Sequence, residues 1–273
     1  MKLMVIDGNS IVNRAYYGIR PLTTRDGLYT HAVFGFLTTL LRLKGEENPD
    51  AVCVTFDVHA PTFRHEASEA YKATRKGMPE ELRMQMPVLK EVLDSLNIPR
   101  YELAGWEADD LIGTISRKCE AAGWECVVVT GDKDSLQLIT EHTKVKLVST
   151  RMGQTTTKDM DEAAFREQYG FDPIHMIDLK ALMGDTSDNI PGVPGIGEKT
   201  AMALVQKYGS IDALYAKMPV WRPSPPPCGS SRRERTAPAS PTGWPPSSLT
   251  RPWTSARRTT WCGPPVRRPT ACF

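Results

Sequence analysis

The segment GWEADD, residues 105–110, sets Glu107, Asp109 and Asp110 within four positions, just where an apolar helical pattern starts. Acids in the first turn of a helix face the positive end of its dipole, which gives this crowding one ordinary explanation. The same residue type recurs elsewhere. The apolar runs KLMVID (2–7), AVCVTFD (51–57) and CVVVTGD (126–132) close on Asp7, Asp57 and Asp132, and Asp134 follows the last. A single strand-end Asp is a good turn former or helix cap. Repeated at one edge of a sheet, such residues would share one crevice and raise one another's pKa values, destabilising the fold unless cations neutralise them. Hard divalent cations such as Mg²⁺ or Mn²⁺ prefer oxygen ligands and suit that role.

A second constellation is GDTSDNIPGVPGIGEKTAMALVQKYGSIDALY, residues 184–215. Asp185 and Asp188 add two carboxylates. Glycines at 192, 195 and 197, with prolines at 191 and 194, predict a tight turn with exposed backbone N–H groups, and a helix starts at Glu198–Lys199. A glycine turn beside a helix N-terminus suits an anion such as a phosphodiester. With Lys199 it points to sequence-independent contact with a nucleic-acid backbone. A plain helix–turn–helix corner is the alternative. The third is FRHEASEAYKATRKG, residues 63–77, where Arg64, Lys72, Arg75 and Lys76 surround Tyr71. Cations with a stacking ring fit a single strand, and a solvated helix face is the competing reading. His31, His59, His65, His142 and His175 lack paired ligand spacing and read as structural or surface residues.

These residues need a scaffold. The four runs 2–7, 51–57, 126–132 and 145–150 are short, β-branched and nearly all apolar, as expected of strands buried on both faces of a largely parallel sheet. Helical patterns lie between them at 31–44, 79–96 and 108–123, the second opened by Pro79 and the third stopped by Gly123. The alternation predicts a three-layer α/β fold, whose ligands gather beyond the carboxyl ends of the strands.

Of the 273 residues, 24% are charged and 40% hydrophobic, which suits one large or two small soluble domains. No apolar run approaches a membrane span, and the opening MKLMVIDGNS lacks the pattern of a secretory leader. Six scattered cysteines without CxxC spacing indicate neither zinc nor disulfides, so a reduced cytoplasmic setting is expected. The net charge of +2 conceals an asymmetry. Beyond residue 218, nine Arg face Glu234 alone, with no Lys or Asp, so residues 1–218 carry a net charge of −6. Nucleic-acid contact in that acidic body must use local basic patches.

In order and spacing, VIDGNS, TFDVHAPTFRHEASEAYKATR, GWEADDLIGT, VTGDKDSLQLI and GDTSDNIPGVPGIGEKTA resemble the 5′-nuclease domains of bacterial DNA polymerase I, within the flap endonuclease family. The likeness spans residues 1–218. It implies a PIN-like α/β core at 1–170 with a helical arch at about 60–100. A helix-hairpin-helix (helix-three-turn-helix) DNA-binding part would follow at 171–218. It further implies a metal-dependent 5′-3′ exonuclease and flap endonuclease, trimming 5′ ends and cutting 5′ flaps of DNA and RNA primers. By motif, one divalent ion would lie among Asp7, Asp57, Glu107, Asp109 and Asp110, and a second among Asp132, Asp134, Asp185 and Asp188. Asp57 and Asp110 would be required for catalysis. Lys72 and Arg75 would steer and polarise the scissile phosphate, with Arg64 and Lys76 adding charge and Tyr71 stacking on a base. Gly192, Val193, Gly195, Ile196 and Gly197, with Lys199 and Thr200, would grip duplex DNA, K⁺ sitting on the hairpin carbonyls. Such a nuclease is monomeric, cytoplasmic and nucleoid-associated, and normally fused to polymerase domains. Two readings of other classes remain: a non-catalytic DNA-junction-binding module, and a phosphotransferase or phosphatase on another Asp-rich α/β fold.

The likeness stops after IDALYAKM. Residues 219–273 hold 13 of the 22 prolines and four of the six tryptophans, without hydrophobic periodicity. That composition predicts disorder. Arginine without lysine suits an out-of-frame translation of GC-rich coding sequence, and a genuine basic DNA-binding linker is the alternative.

Overall fold

The computed structural model describes residues 1–75, 77–151 and 154–217. Lys76 and the 219–273 tail, both singled out by sequence, lie outside the described residues.

Six strands build one sheet: β1 (Lys2–Asp7), β2 (Ala51–Thr55), β3 (Arg100–Tyr101), β4 (Glu125–Thr130), β5 (Thr143–Arg151) and β6 (Gln154–Met160). Their spatial order is β3-β2-β1-β4-β5-β6, parallel except for β6, which returns antiparallel along β5. The central strands are the ones whose sequences are apolar on both faces: Met4, Val5 and Ile6 of β1 and Val127 to Val129 of β4 are buried. Edge strand β6, QTTTKDM, is polar and mostly exposed, as a strand with one solvated face should be.

Helices cover both faces. The first layer holds α1 (Gly8–Gly18), α2 (His31–Glu47) and α4 (Glu80–Ser95), preceded by the short α3 (Phe63–Ala67). Phe36, Leu40, Leu43, Leu82, Leu89 and Leu93 of this layer pack on Met4, Ile6, Val54 and Val129. On the other face lie α5 (Ala108–Ala121), α6 (Glu162–Tyr169), α7 (Met176–Met183) and α8 (Glu198–Tyr208), with α9 (Ile211–Lys217) last. Their core joins Ile112, Phe165, Leu179, Leu182, Ala201 and Val205 to Val5 and Val128. Within the 60–100 stretch expected as an arch, α4 is instead a core helix, because its leucines recur on one face and are buried.

This register puts the carboxyl ends of β1, β2 and β4 side by side. Leu3 pairs with both Ala51 and Cys126, so the three strands finish level at Asp7, Thr55 and Thr130. Asp57 and Asp132 therefore fall two residues beyond their strands. α5 starts at the same edge, because Asp57 Oδ1 accepts the Ala108 N–H at 2.6 Å.

One buried polar side chain holds the first layer together. Gln85 of α4 is fully buried, accepts the Ala32 N–H at 2.8 Å and donates to the Glu81 carbonyl at 2.9 Å. It thereby caps α2, whose own residue Thr30 makes no side-chain cap. Gln85→Leu leaves that N–H buried and unmet, and costs about 1–3 kcal/mol of stability in urea unfolding.

Candidate active site: an acidic crevice with its own cations

Nine carboxylates gather at the carboxyl edge of the sheet and the loop after α7, and they fall into three sets by partner. Asp7, Asp57, Asp109 and Asp132 form the first: the charges of the other three all act on Asp109, and those of Asp57 and Asp132 act on Asp7. Asp7 is anchored by Ser10 N–H at 2.9 Å and Thr130 Oγ1 at 2.8 Å, and Asp57 by Asn9 Nδ2 at 2.8 Å. These bonds do not remove the strain. Burial, reinforced by Asp57 and Asp132, lifts Asp7 from 3.8 to about 6 despite its hydrogen bonds. Burial and the charges of Asp7, Asp132 and Asp57 push Asp109 well above the ordinary range, against an opposing pull from Lys72.

Glu107, Asp110 and Asp188 make the second set, and the 63–75 segment neutralises them. Arg64 grips Asp110 with two bonds of 2.7 Å and lies 3.5 Å from Glu107. Lys72 Nζ reaches Glu107 at 2.8 Å, and Arg75 pairs with Asp188. Bidentate guanidinium–carboxylate contact is among the strongest pairings available to side chains. Although burial alone would lower Arg64, bonding to Asp110 and the nearby charges raise it above the usual arginine range. Tyr71 joins this set rather than standing free as a stacking platform. The residue is only 7% exposed, and its hydroxyl donates to Glu107 at 3.0 Å and Asp188 at 3.2 Å. Burial and those two charges raise its phenol.

Asp134 and Asp185 form the third set, bridged by Lys180 of α7 at 2.7 and 2.8 Å. Burial would raise Asp185, but bonds from Lys180 and Ser187 hold it down at about 2. The grouping thus departs from the expected division into two ligand sets: Asp132 faces Asp7 and Asp109, and Asp188 faces Arg75 and Tyr71. Among the described residues, no three acidic, His or Cys side chains are arranged to hold a metal ion. The basic side chains account for this in the second and third sets. The donor chemistry of the first set nevertheless fits a hard divalent cation. It is all oxygen, its charges repel, and Asn9 Oδ1, on the side chain that bonds Asp57, is buried without a hydrogen-bond partner among the described residues.

The segment after α7 meets the second set directly. Asp185 and Ile190 exchange backbone hydrogen bonds at 2.8 Å, closing a loop around Asp188. Lys72 N–H donates to the Asp188 carbonyl at 2.9 Å, and Asn189 Nδ2 to the Ala70 carbonyl at 2.8 Å. The loop is seated by Gly184, whose φ is +76° and whose Cβ, if present, would meet Gly192 N at 2.3 Å. Beyond it Val193, Gly195, Gly197, Lys199 and Thr200 are exposed, Gly192 and Ile196 half-buried, and Gly195 turns at φ +83°. Gly197 caps α8, so this hairpin and the first amides of the helix share one surface.

Sequence reasoning overlooked Lys180, Thr130, Ser10 and Asn9. Lys180 carried a signal, as the one cation in the apolar helix MIDLKALM. Thr130 was visible only as the polar residue closing an apolar strand.

Residues 2–170 match the family described as the 5′-3′ exonuclease N-terminal resolvase-like domain, and residues 171–229 the one described as the 5′-3′ exonuclease C-terminal SAM fold. The chain is 44% identical over 217 residues to DNA polymerase I of Bacillus caldotenax, covering 80% of this chain and 24% of that protein. It is 44% identical over 213 residues to DNA polymerase I of Bacillus subtilis (strain 168), covering 78% and 24%. The chain thus spans about a quarter of the length of these curated relatives. Among solved structures, a bacteriophage T5 5′-exonuclease with bound divalent zinc ions shares the fold at a TM-score of 0.64 and 23% identity, over 81% of this chain and 82% of that one.

The raised carboxyl of Asp7 has a consequence for stability. Without divalent ions, the folded chain holds this proton more tightly than the unfolded chain does. The contribution is therefore fully present below pH 3.8 and lost as the pH rises through about 6. In EDTA, thermal unfolding is expected at higher temperature at pH 5 than at pH 7.5. Asp7→Asn should flatten that dependence by about 1–1.5 kcal/mol. An unchanged slope would contradict the placement of Asp7 among like charges.

Proposed function

Since the chain belongs to the 5′-3′ exonuclease family, we propose that it is the nuclease part of a bacterial DNA polymerase I, hydrolysing phosphodiester bonds at 5′ ends and flaps of DNA and RNA primers. The observation that carries this reading is the cluster of Asp7, Asp57, Asp109 and Asp132 at one sheet edge, with Glu107 and Asp110 beside it at the start of α5. Such a cluster has no stabilising role of its own, because burial and repulsion raise the carboxyls of Asp7 and Asp109 within it. When bound, two divalent ions would acidify a water and neutralise charge developing on the phosphate. Mg²⁺ or Mn²⁺ fits the all-oxygen donors, with Asp7, Asp57, Glu107, Asp109 and Asp110 on one side and Asp132, Asp134, Asp185 and Asp188 on the other.

Lys72, Arg75 and Arg64 now bind carboxylates, and each can exchange that partner for a phosphate oxygen. Lys72 and Arg75 would thereby orient the scissile phosphate over the acidic edge, which supplies positioning and charge stabilisation without a side-chain nucleophile. Tyr71 can stack on a base only once its hydroxyl leaves Glu107 and Asp188. The exposed hairpin from Gly192 to Gly197, with Lys199 and Thr200, would hold duplex backbone through its amides, with K⁺ on its carbonyls. We assign residues 1–170 to the catalytic core and 171–218 to this DNA-binding part. The nuclease would act as a monomer in the cytoplasm at the nucleoid, and the intact protein would continue into polymerase domains.

A labelled 5′-flap duplex should be cut near its junction in Mg²⁺ and left whole in EDTA. Binding without cutting in either condition would favour a non-catalytic junction-binding module. Asp57→Ala and Asp110→Ala should each slow cutting by at least about a hundredfold while junction affinity stays within a few-fold. Cleavage at the unaltered rate in either variant would refute the ligand assignment.

A further inference from the structure

One of the crowded carboxylates, Asp7, and the backbone that carries another, Asp132, are held by a ring of hydrogen bonds through uncharged residues. β1 and β4 run parallel with Ile6 beside Val129, so Asp7 and Thr130 come next at the strand ends. Thr130 is fully buried. Its hydroxyl donates to Asp7 Oδ2 at 2.8 Å and accepts the Asp132 N–H at 3.0 Å. Ser10 closes the ring, its N–H donating to Asp7 Oδ1 at 2.9 Å and its Oγ accepting the Gly131 N–H at 2.9 Å. Arg14 holds the same turn from α1 by donating to the Gly131 carbonyl.

A hydroxyl has one proton to give. That of Thr130 goes to Asp7, while its lone pair takes the backbone of Asp132, so a single atom sets the orientation of one acid and the chain direction at the other. Each oxygen of Asp7 can accept two bonds, so each keeps a lone pair free for another partner. Nothing about packing asks for a hydroxyl here. Val127, Val128 and Val129 precede it, and another valine would fill the same buried space.

We infer that Thr130 is a positioning residue that fixes the Asp7 carboxylate relative to the backbone at Asp132, so that these two acids meet their divalent ions in a preset arrangement. This rests on the nuclease reading of the crevice. Freed of the ring, the Asp7 carboxylate turns away from the like charge of Asp132 and the 131–132 backbone loses its tie, and ion binding must then supply the cost of restoring both.

The test compares Thr130→Val, which keeps the shape and loses the hydroxyl, with Thr130→Ser, which keeps the hydroxyl and loses a methyl. Mn²⁺ affinity is measured by calorimetry, and thermal unfolding is followed in EDTA. Thr130→Val should bind Mn²⁺ about tenfold more weakly, and its flap cutting should recover as Mn²⁺ is raised. Thr130→Ser should bind within about twofold of the unaltered protein, although the lost methyl lowers its unfolding temperature. Affinity thus follows the hydroxyl, whereas Thr130→Ser loses stability without a matching loss of affinity. Wild-type affinity in Thr130→Val, or an equal loss in Thr130→Ser, would overturn the positioning role. An unaltered protein that binds no Mn²⁺ would overturn the nuclease reading, and this inference with it.

Discussion

Like charges confined to a poorly solvated crevice must be neutralised or protonated, and the carboxylates of this chain divide by which of these befalls them. Glu107, Asp110, Asp188, Asp134 and Asp185 have cations of the chain itself, Arg64, Lys72, Arg75 and Lys180, although burial still raises Asp134 against its bond from Lys180. Asp7 and Asp109 are deeper, have no cation in salt-bridge contact among the described residues, and answer with raised pKa values. The opposite edge of the sheet shows what a balanced site looks like. There Glu47 is buried between Lys144 at 2.8 Å and Lys146 at 2.9 Å, and although burial works against it, those bonds hold its carboxyl below the usual value. One edge is electrostatically finished and the other is not, and an unfinished edge is where a cationic ligand gains most.

The neutralising cations are also what ties the separate parts of the chain together. The 63–75 segment makes contact with the start of α5 through Arg64 and Lys72, and with the loop after α7 through Arg75, Tyr71 and the backbone of Lys72. Two residues in the left-handed region mark this junction, Lys72 at φ 54° and Asn189 at φ 57°. Such a conformation costs a lysine of the order of 1 kcal/mol and persists only where surrounding contacts impose it. Any phosphate that draws Lys72 or Arg75 away loosens the contact between this segment and the hairpin loop. Under the proposed nuclease reading, substrate and ions would act on one set of pairs, the first through the bases and the second through the acids.

The helix start at GWEADD shows how both explanations of a motif can hold at once. Asp110 accepts the Glu107 N–H at 3.0 Å, which is the ordinary work of an acid in a first turn. The same carboxylate faces Arg64, and Asp109 beside it feels Asp7, Asp57 and Asp132. Sequence spacing could place these acids at a helix start. It could not say what lay opposite, because the strand ends that carry Asp7, Asp57 and Asp132 belong to other segments of the chain.

Local pattern alone was enough for the four main strands, for the helices α2, α4 and α5, for the hairpin and for the acids at the strand ends, since apolar period, glycine and proline act over a few residues. It was also enough for the family, whose motifs are contiguous. Partner choice came only with the folded chain. Tyr71 read as a free ring and is buried against two carboxylates; α4 read as part of an arch and belongs to the core; Lys180 and Thr130 drew no notice. Charge pairing acts through space at a few ångströms, so which acid meets which base depends on strand order and register. Those depend in turn on the whole sheet closing around its core.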